Sequence, residues 1–195
     1  MKRIIIVAFQ GCYGIPGYDH VRLIIKLGHV GVYFPDEPSE LIIYGFGPTE
    51  AAIAKYGEAL AQHLMNGNSV LGNFHNDTDV FLEAFALSQT RDEALFRAMK
   101  DEDRLIVYKI VHPYPDDIYE TIRNEILSWY NGATIPSVEY RLPPPTEVYD
   151  NCATVYRWFG IPSYEDLHKG QLAAYIKLVF KDPEIGSRWD PDRDV

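Results

Sequence analysis

Cysteine is scarce in this chain, with two in 195 residues, Cys12 and Cys152. They lie far apart, so a disulfide framework is not indicated, and separate thiols are the default reading. Positive charge is also short: 18 Lys and Arg stand against 28 Asp and Glu, a net charge of −10. Attraction to nucleic acid or to an anionic membrane surface needs basic patches, so neither is expected as a partner. No apolar run is long enough to cross a bilayer, and Ile4 to Phe9 is too short for the core of a signal peptide. Export, if it occurs, is expected to use a route without a cleaved leader. There is no HExxH, no paired CxxC and no phosphate-loop lysine, so no metal site and no cofactor are expected.

Aromatic residues, by contrast, are plentiful. They make up 13% of the chain, including 14 Tyr, which argues for one autonomously folding core and against disorder. Arg3 to Phe9 is a β-branched run that fits a buried strand. Val21 to Leu27 leans to strand. Val30, Val32 and Phe34 alternate with Gly31 and Tyr33, and Leu41 to Phe46 follows a short acidic turn, so the two are expected to form an antiparallel hairpin. His29 then sits at the mouth of that hairpin, facing roughly Tyr44 to Phe46, where Gly45 and Gly47 leave room.

Helices are expected over Thr49 to Asn66, Asp77 to Leu87, Arg91 to Lys100 and Asp116 to Tyr130, with strands at Leu105 to Val111 and Val138 to Leu142. Further helical segments are expected from Ser163 and over Gln171 to Phe180. Elements are mixed rather than strictly alternating, which favours α+β over a doubly wound sheet. The expected organisation is one domain over residues 1–181, with a helical insertion at about 49–130 and a polar tail at 182–195.

The stretch Tyr149 to Gly160, YDNCATVYRWFG, carries the chemistry. Pro143 to Pro145 hold its approach extended. Beyond them Val148, Cys152, Val155, Trp158 and Phe159 recur at three- and four-residue steps, the spacing of an amphipathic helix with Cys152 in or beside its first turn. A helix start favours thiolate over thiol, and thiolate is the nucleophilic form. A small buried core residue fits the same position. A nucleophilic cysteine needs a base, and imidazole titrates in the right range. His63 lies within a helix, His112 beside Pro113, and His20, His75 and His168 in polar loops or helix ends. His29 is set apart by its strand and its flanking glycines. Cys12, in QGCYGIPG, has Pro16 and Gly17 behind it in place of a helix. Asp101 to Asp103 and Asp116 with Asp117 read as solvated helix ends.

GHVGVYF, with IYGFGP at Ile43 to Pro48 and DNCATVYRWFG, resembles the permuted papain-like superfamily related to the NlpC/P60 hydrolases. In such permuted members, among them the lecithin:retinol acyltransferase-like and YiiX-like proteins, the histidine strand precedes the cysteine helix, as here. Similar elements occur in bacterial toxins and in cysteine hydrolase effectors of type VI secretion. The matching residues cover about a fifth of the chain. The resemblance implies an antiparallel sheet packed against the cysteine helix, Cys152 as nucleophile and His29 as general base. Relatives orient the imidazole from the next strand, where this chain offers Tyr44; Glu40, or a dyad without a third residue, are the alternatives. The Cys152 amide is the implied oxyanion donor, and Asn151 a second donor or a helix cap. The implied activity is amide hydrolysis through a thioacyl-enzyme, most directly of peptidoglycan peptides by an antibacterial secreted effector. Such an effector is made in the bacterial cytoplasm, acts in a target-cell periplasm, and has an immunity or secretion-machinery protein as partner. A lipid-directed acyltransferase or thioesterase of the same fold, and a non-catalytic interaction module, are the other readings.

Overall fold

Ile4 to Phe9 is apolar at every position, so a strand made from it must be covered on both faces. The computed structural model describes residues 1–10, 24, 28–37, 40–89, 106–133, 138–142, 150–152, 154–161 and 186–194. In it, β1 (Lys2–Gln10) lies inside a single antiparallel sheet. The other strands are β2 (Gly28–Tyr33), β3 (Tyr44–Pro48), β4 (Ser69–Asn76), β5 (Val107–Tyr114), β6 (Glu139–Arg141) and β7 (Gly186–Arg188). Their spatial order is β6-β4-β3-β2-β1-β5-β7.

Alternation along β1 divides the core in two. Ile4, Ile6 and Ala8 pack on one face with Val30, Val32 and Phe46, while Ile5, Val7 and Phe9 pack on the other with Tyr33, Phe81 and Trp189. Each Ile, Val or Phe side chain among them, fully buried, is worth about 1.5–3 kcal/mol, which is why this run occupies the interior of the sheet. Helix α4 (Asp116–Tyr130), after the shorter α1 (Glu50–Tyr56), α2 (Leu60–Met65) and α3 (Thr78–Gln89), covers the first face through Tyr119, Ile122 and Ile126. Helix α3 covers the second through Val80, Phe81 and Ala84. The class is α+β, as the mixed element order implies.

Three expectations are corrected. The helix over Thr49 to Asn66 is capped as expected, with Thr49 Oγ1 accepting from Ala52 N at 3.3 Å. It breaks, however, at Gly57, whose φ of 50° opens a 3-10 turn over Gly57–Ala59. Residues 49–130 are not a helical insertion, because they contribute β4 and β5. In β4, Val70, Gly72 and Phe74 are buried and alternate with less buried neighbours, a period-two pattern that the helix reading passes over. Nor are residues 182–195 simply an exposed tail. Strand β7 pairs with β5, Trp189 is 1% exposed against Phe81 and Phe85, and Asp194 pairs with Lys109. An indole supplies more apolar surface than this acidic segment suggests, and burying it ties the segment down.

The segments Arg91 to Lys100, Ser163 onward with Gln171 to Phe180, Pro143 to Pro145, and all of Val21 to Leu27 except Ile24 lie outside the described residues. Among the described residues no helix is long and apolar enough to cross a membrane.

Candidate active site

Gly28, with φ of 84°, turns the chain into β2, and His29 is its second residue. Alternation puts His29, Gly31 and Tyr33 on the face covered by α3, where the imidazole stacks on Phe81 at 5.6 Å between centroids. Gly45 lies across from Gly31 on β3. A Cβ at position 45 would stand 2.5 Å from His29 Nε2 and 1.8 Å from an oxygen of Asp77. Only glycine leaves space for that pair.

Asp77 sits at the junction of β4 and α3. Its backbone N donates to Ile43 O at 2.8 Å, and its carbonyl accepts from Phe81 N at 3.2 Å, so the backbone is fixed on both sides. The side chain reaches inward, and Oδ2 lies 2.7 Å from His29 Nε2.

Cys152 is delivered by a clamped turn. Asp150 bridges to Tyr140 of β6, its carbonyl accepts from Arg141 N at 2.9 Å, and its Oδ1 accepts from Arg157 Nη2 at 2.9 Å and Trp158 Nε1 at 3.1 Å. Asn151 N donates to Thr154 Oγ1 at 2.9 Å, while Asn151 O accepts from Thr154 N and Val155 N. A 3-10 helix, Val155–Phe159, follows and ends at Gly160 in the left-handed region, φ 73°. From it the Tyr156 hydroxyl inserts between strands, 3.2 Å from Val30 O and 3.0 Å from Tyr44 O. This pins the cysteine segment to the histidine strand. The Cys152 thiol and the His29 imidazole are hydrogen-bonded to each other. Since Asp77 holds Nε2, Nδ1 is the nitrogen left for sulfur.

Electrostatics at this point are dominated by three buried groups. Burial by itself lowers the His29 pKa, but the negative charge on Cys152, the Asp77 hydrogen bond and the Asp77 charge outweigh it and raise the ring from 6.5 to about 10. At neutral pH the imidazole is therefore favoured in its charged form, next to Cys152 and hydrogen-bonded to Asp77. The buried hydroxyls of Tyr140 and Tyr156 are pushed well above their usual pKa by desolvation and then by the charges of Cys152 and Asp77. Both remain protonated donors beside the site.

Cys152 and His29 are thus brought together, and the third place is corrected. Tyr44 pairs with Val32 across the hairpin, so its side chain lies on the face opposite His29 and packs against Tyr130 at 5.1 Å and Phe34 at 5.9 Å. It meets the site only through its carbonyl. Glu40 is exposed. Asp77 fills the role instead. In the sequence it reads as the first residue of a helix; the alternation of Val70, Gly72 and Phe74 is the signal that a strand ends just before it, one step past the residue opposite Tyr44.

The surroundings of the cysteine also differ from the expected α-helix. A five-residue 3-10 helix that begins three residues after Cys152 carries little macrodipole, so the positive charge nearest the thiol is that of His29. Thr154 occupies the cap position, and Asn151 closes the preceding turn through its backbone. His75 stands on β4 and not in a loop. Cys12 lies outside the described residues. Among the described residues no group of three or more His, Cys, Asp or Glu is arranged to hold a metal ion. Comparison of the chain with protein-family models, with curated proteins and with solved structures found no match.

Proposed function

We propose that the chain is a cysteine hydrolase that cleaves an amide bond through a thioacyl-enzyme on Cys152. The observation that carries this reading is the position of His29, hydrogen-bonded to Cys152 on one side and to Asp77 on the other. A nucleophile, a base and a group that orients the base form the minimal apparatus of acyl transfer.

The thiolate attacks the carbonyl carbon, a C–S bond forms, and the carbonyl electrons move onto oxygen, with the Cys152 amide as the proposed donor to that oxyanion. As the intermediate collapses the C–N bond breaks, and His29 gives its proton to the leaving nitrogen. Neutral His29 then takes a proton from water while the water oxygen adds to the thioester. Collapse expels the thiolate beside a re-protonated His29 and releases the acid. Asp77 holds the ring in place through both steps and favours its charged form.

Peptidoglycan-type peptides are the proposed substrate class, supported by the resemblance of the His29, Ile43 to Pro48 and Cys152 segments to permuted papain-like enzymes. The antiparallel α+β architecture is compatible with that fold. A secreted antibacterial role is the setting the same resemblance suggests. The test is incubation of the protein with peptidoglycan fragments and, separately, with phospholipids, the products being read by mass spectrometry. Peptide cleavage that disappears in Cys152→Ala is the expected result. Fatty-acid release without peptide cleavage moves the enzyme to the lipid-directed acyltransferases and thioesterases, and inertness towards both, with no difference between the two proteins, overturns the hydrolase.

A further inference from the structure

Phe81, on α3, is completely buried and meets three other rings. The His29 imidazole stacks on it at 5.6 Å between centroids, Phe9 meets it edge to face at 5.2 Å, and Trp189 meets it edge to face at 6.4 Å. The backbone of β2 closes a further side, since a Cβ at Gly31 would stand 2.8 Å from the Phe81 ring. A ring boxed in this way has little room to tilt. The imidazole stacked on it is held by the same box.

Of these residues Trp189 comes from farthest along the chain, and it is tied down twice. On one side β7 pairs with β5, Trp189 N donates to Val107 O at 3.0 Å, and Phe85 meets the indole edge to face at 5.9 Å. On the other, the Asp194 carboxylate pairs with Lys109 and accepts from Asp190 N at 2.9 Å, and the Asp194 carbonyl accepts from the Tyr33 hydroxyl at 3.1 Å. Tyr33 stands on β2 on the same face as His29. The segment from Gly186 to Asp194 therefore reaches the histidine strand at two places, directly at Tyr33 and through Phe81 at His29.

We propose that Trp189 is a positioning residue of the candidate site: by backing Phe81 it holds the His29 imidazole against Cys152 and Asp77, and this makes the segment it anchors part of the working apparatus. The physical reason is shape. Removing the indole opens space beside Phe81, the ring tilts into it, and the imidazole loses the surface it stacks on. Hydrogen bonds weaken steeply with such displacements, and a misplacement of about 1 Å costs up to about 10²-fold in rate. The proposal rests on the hydrolase reading only in calling the Cys152 and His29 pair catalytic.

The test is the titration of His29 by NMR in protein with carbon-13-labelled histidine, its resonance being identified by its loss in His29→Gln. In the unaltered protein the midpoint is expected near 10. In Trp189→Ala it is expected at about 9 or below, nearer the ordinary histidine value, because Cys152 and Asp77 stay in place while the ring's contact with them loosens. Trp189→Phe keeps a ring edge at Phe81 and is expected to restore most of the difference. Ile126→Ala empties space in the core on the opposite face of the sheet, where Ile126 is fully buried, and is expected to leave the midpoint where it was. If the protein cleaves peptides, kcat should fall about tenfold in Trp189→Ala with KM unchanged. A midpoint already near 6.5 in the unaltered protein, one that does not move in Trp189→Ala, or one that moves as far in Ile126→Ala overturns the proposal. Should Trp189→Ala not fold, Trp189→Leu carries the same expectation, since it fills space without offering a ring edge. No substrate enters the titration. The expected midpoints in a protein inert towards peptidoglycan peptides keep the positioning contact and remove the hydrolase, and peptide cleavage with unmoved midpoints does the reverse.

Discussion

Asp77 Oδ2 lies 2.7 Å from His29 Nε2, with both side chains buried. A hydrogen bond in such surroundings fixes the ring and also favours its charged form, because Asp77, with Cys152, raises His29 to about 10. Asp77→Asn keeps an oxygen acceptor and removes the charge. We expect kcat to fall by about 10²-fold or more with KM little changed, and the alkaline limb of the pH–rate profile to move to lower pH. A lost rate with an unmoved limb would reduce Asp77 to a support for the start of α3.

Gly45 should tolerate no side chain. A Cβ there stands 1.8 Å from Asp77 Oδ2 and 2.5 Å from His29 Nε2, whereas one at Gly47 meets only the His75 ring, at 3.6 Å and 3.9 Å. Gly45→Ala is expected to lower stability by about 1–3 kcal/mol through overpacking and to abolish turnover by separating the pair. Gly47→Ala is expected to stay within about 0.5 kcal/mol. Urea unfolding of both variants, set beside their activities, checks this. Equal behaviour of the two would show that Gly45 is not the spacer of the site.

Much of this arrangement was legible in the chain, for identifiable reasons. The apolar run of β1, the alternation of β2 and the short acidic turn before β3 are local signals, and they place His29 at the end of a hairpin. The pairing of His29 with Cys152 was legible as a match of chemical types, a thiol that needs a base. Asp77 was not, because helix-start chemistry and site chemistry both favour aspartate, and only the register of β4 against β3 shows that its side chain turns inward. The helix after the cysteine is shorter than its spacing suggests for a similar reason: apolar residues at three- and four-residue steps do not distinguish a short 3-10 helix from a full α-helix, and Gly160 stops it after five residues. The burial of Trp189 depends on long-range pairing of β7 with β5, for which the acidic, proline-containing C-terminal segment carries no local sign.

The raised pKa of His29 makes a prediction about stability with a definite sign. Its ordinary value of 6.5 applies to the unfolded chain, and the folded value is about 10. The native state therefore holds the proton more tightly, and the contribution of His29 is fully present below about pH 6.5 and lost as pH rises through about 10. Compared with His29→Gln, the native protein should show its largest stability advantage near pH 6 and a much smaller one near pH 10.5. Urea titrations of both proteins at the two pH values measure the difference, and an advantage that grows with pH contradicts the ion pair.

Tyr156 gives the last prediction, because it joins the cysteine segment to the histidine strand without reaching the reacting atoms. Its hydroxyl lies 3.2 Å from Val30 O and 3.0 Å from Tyr44 O, and it is buried. Tyr156→Phe keeps the ring against Phe74 and removes only the hydrogen bond, which should cost about 0.5–1.5 kcal/mol. If the hydroxyl positions the Cys152 turn, kcat falls while KM holds. The alkaline limb of the rate profile also moves down, by less than in Asp77→Asn, because a looser contact with Cys152 supports less charge on His29. A variant that loses stability but keeps both its rate and its pH profile assigns Tyr156 to packing alone.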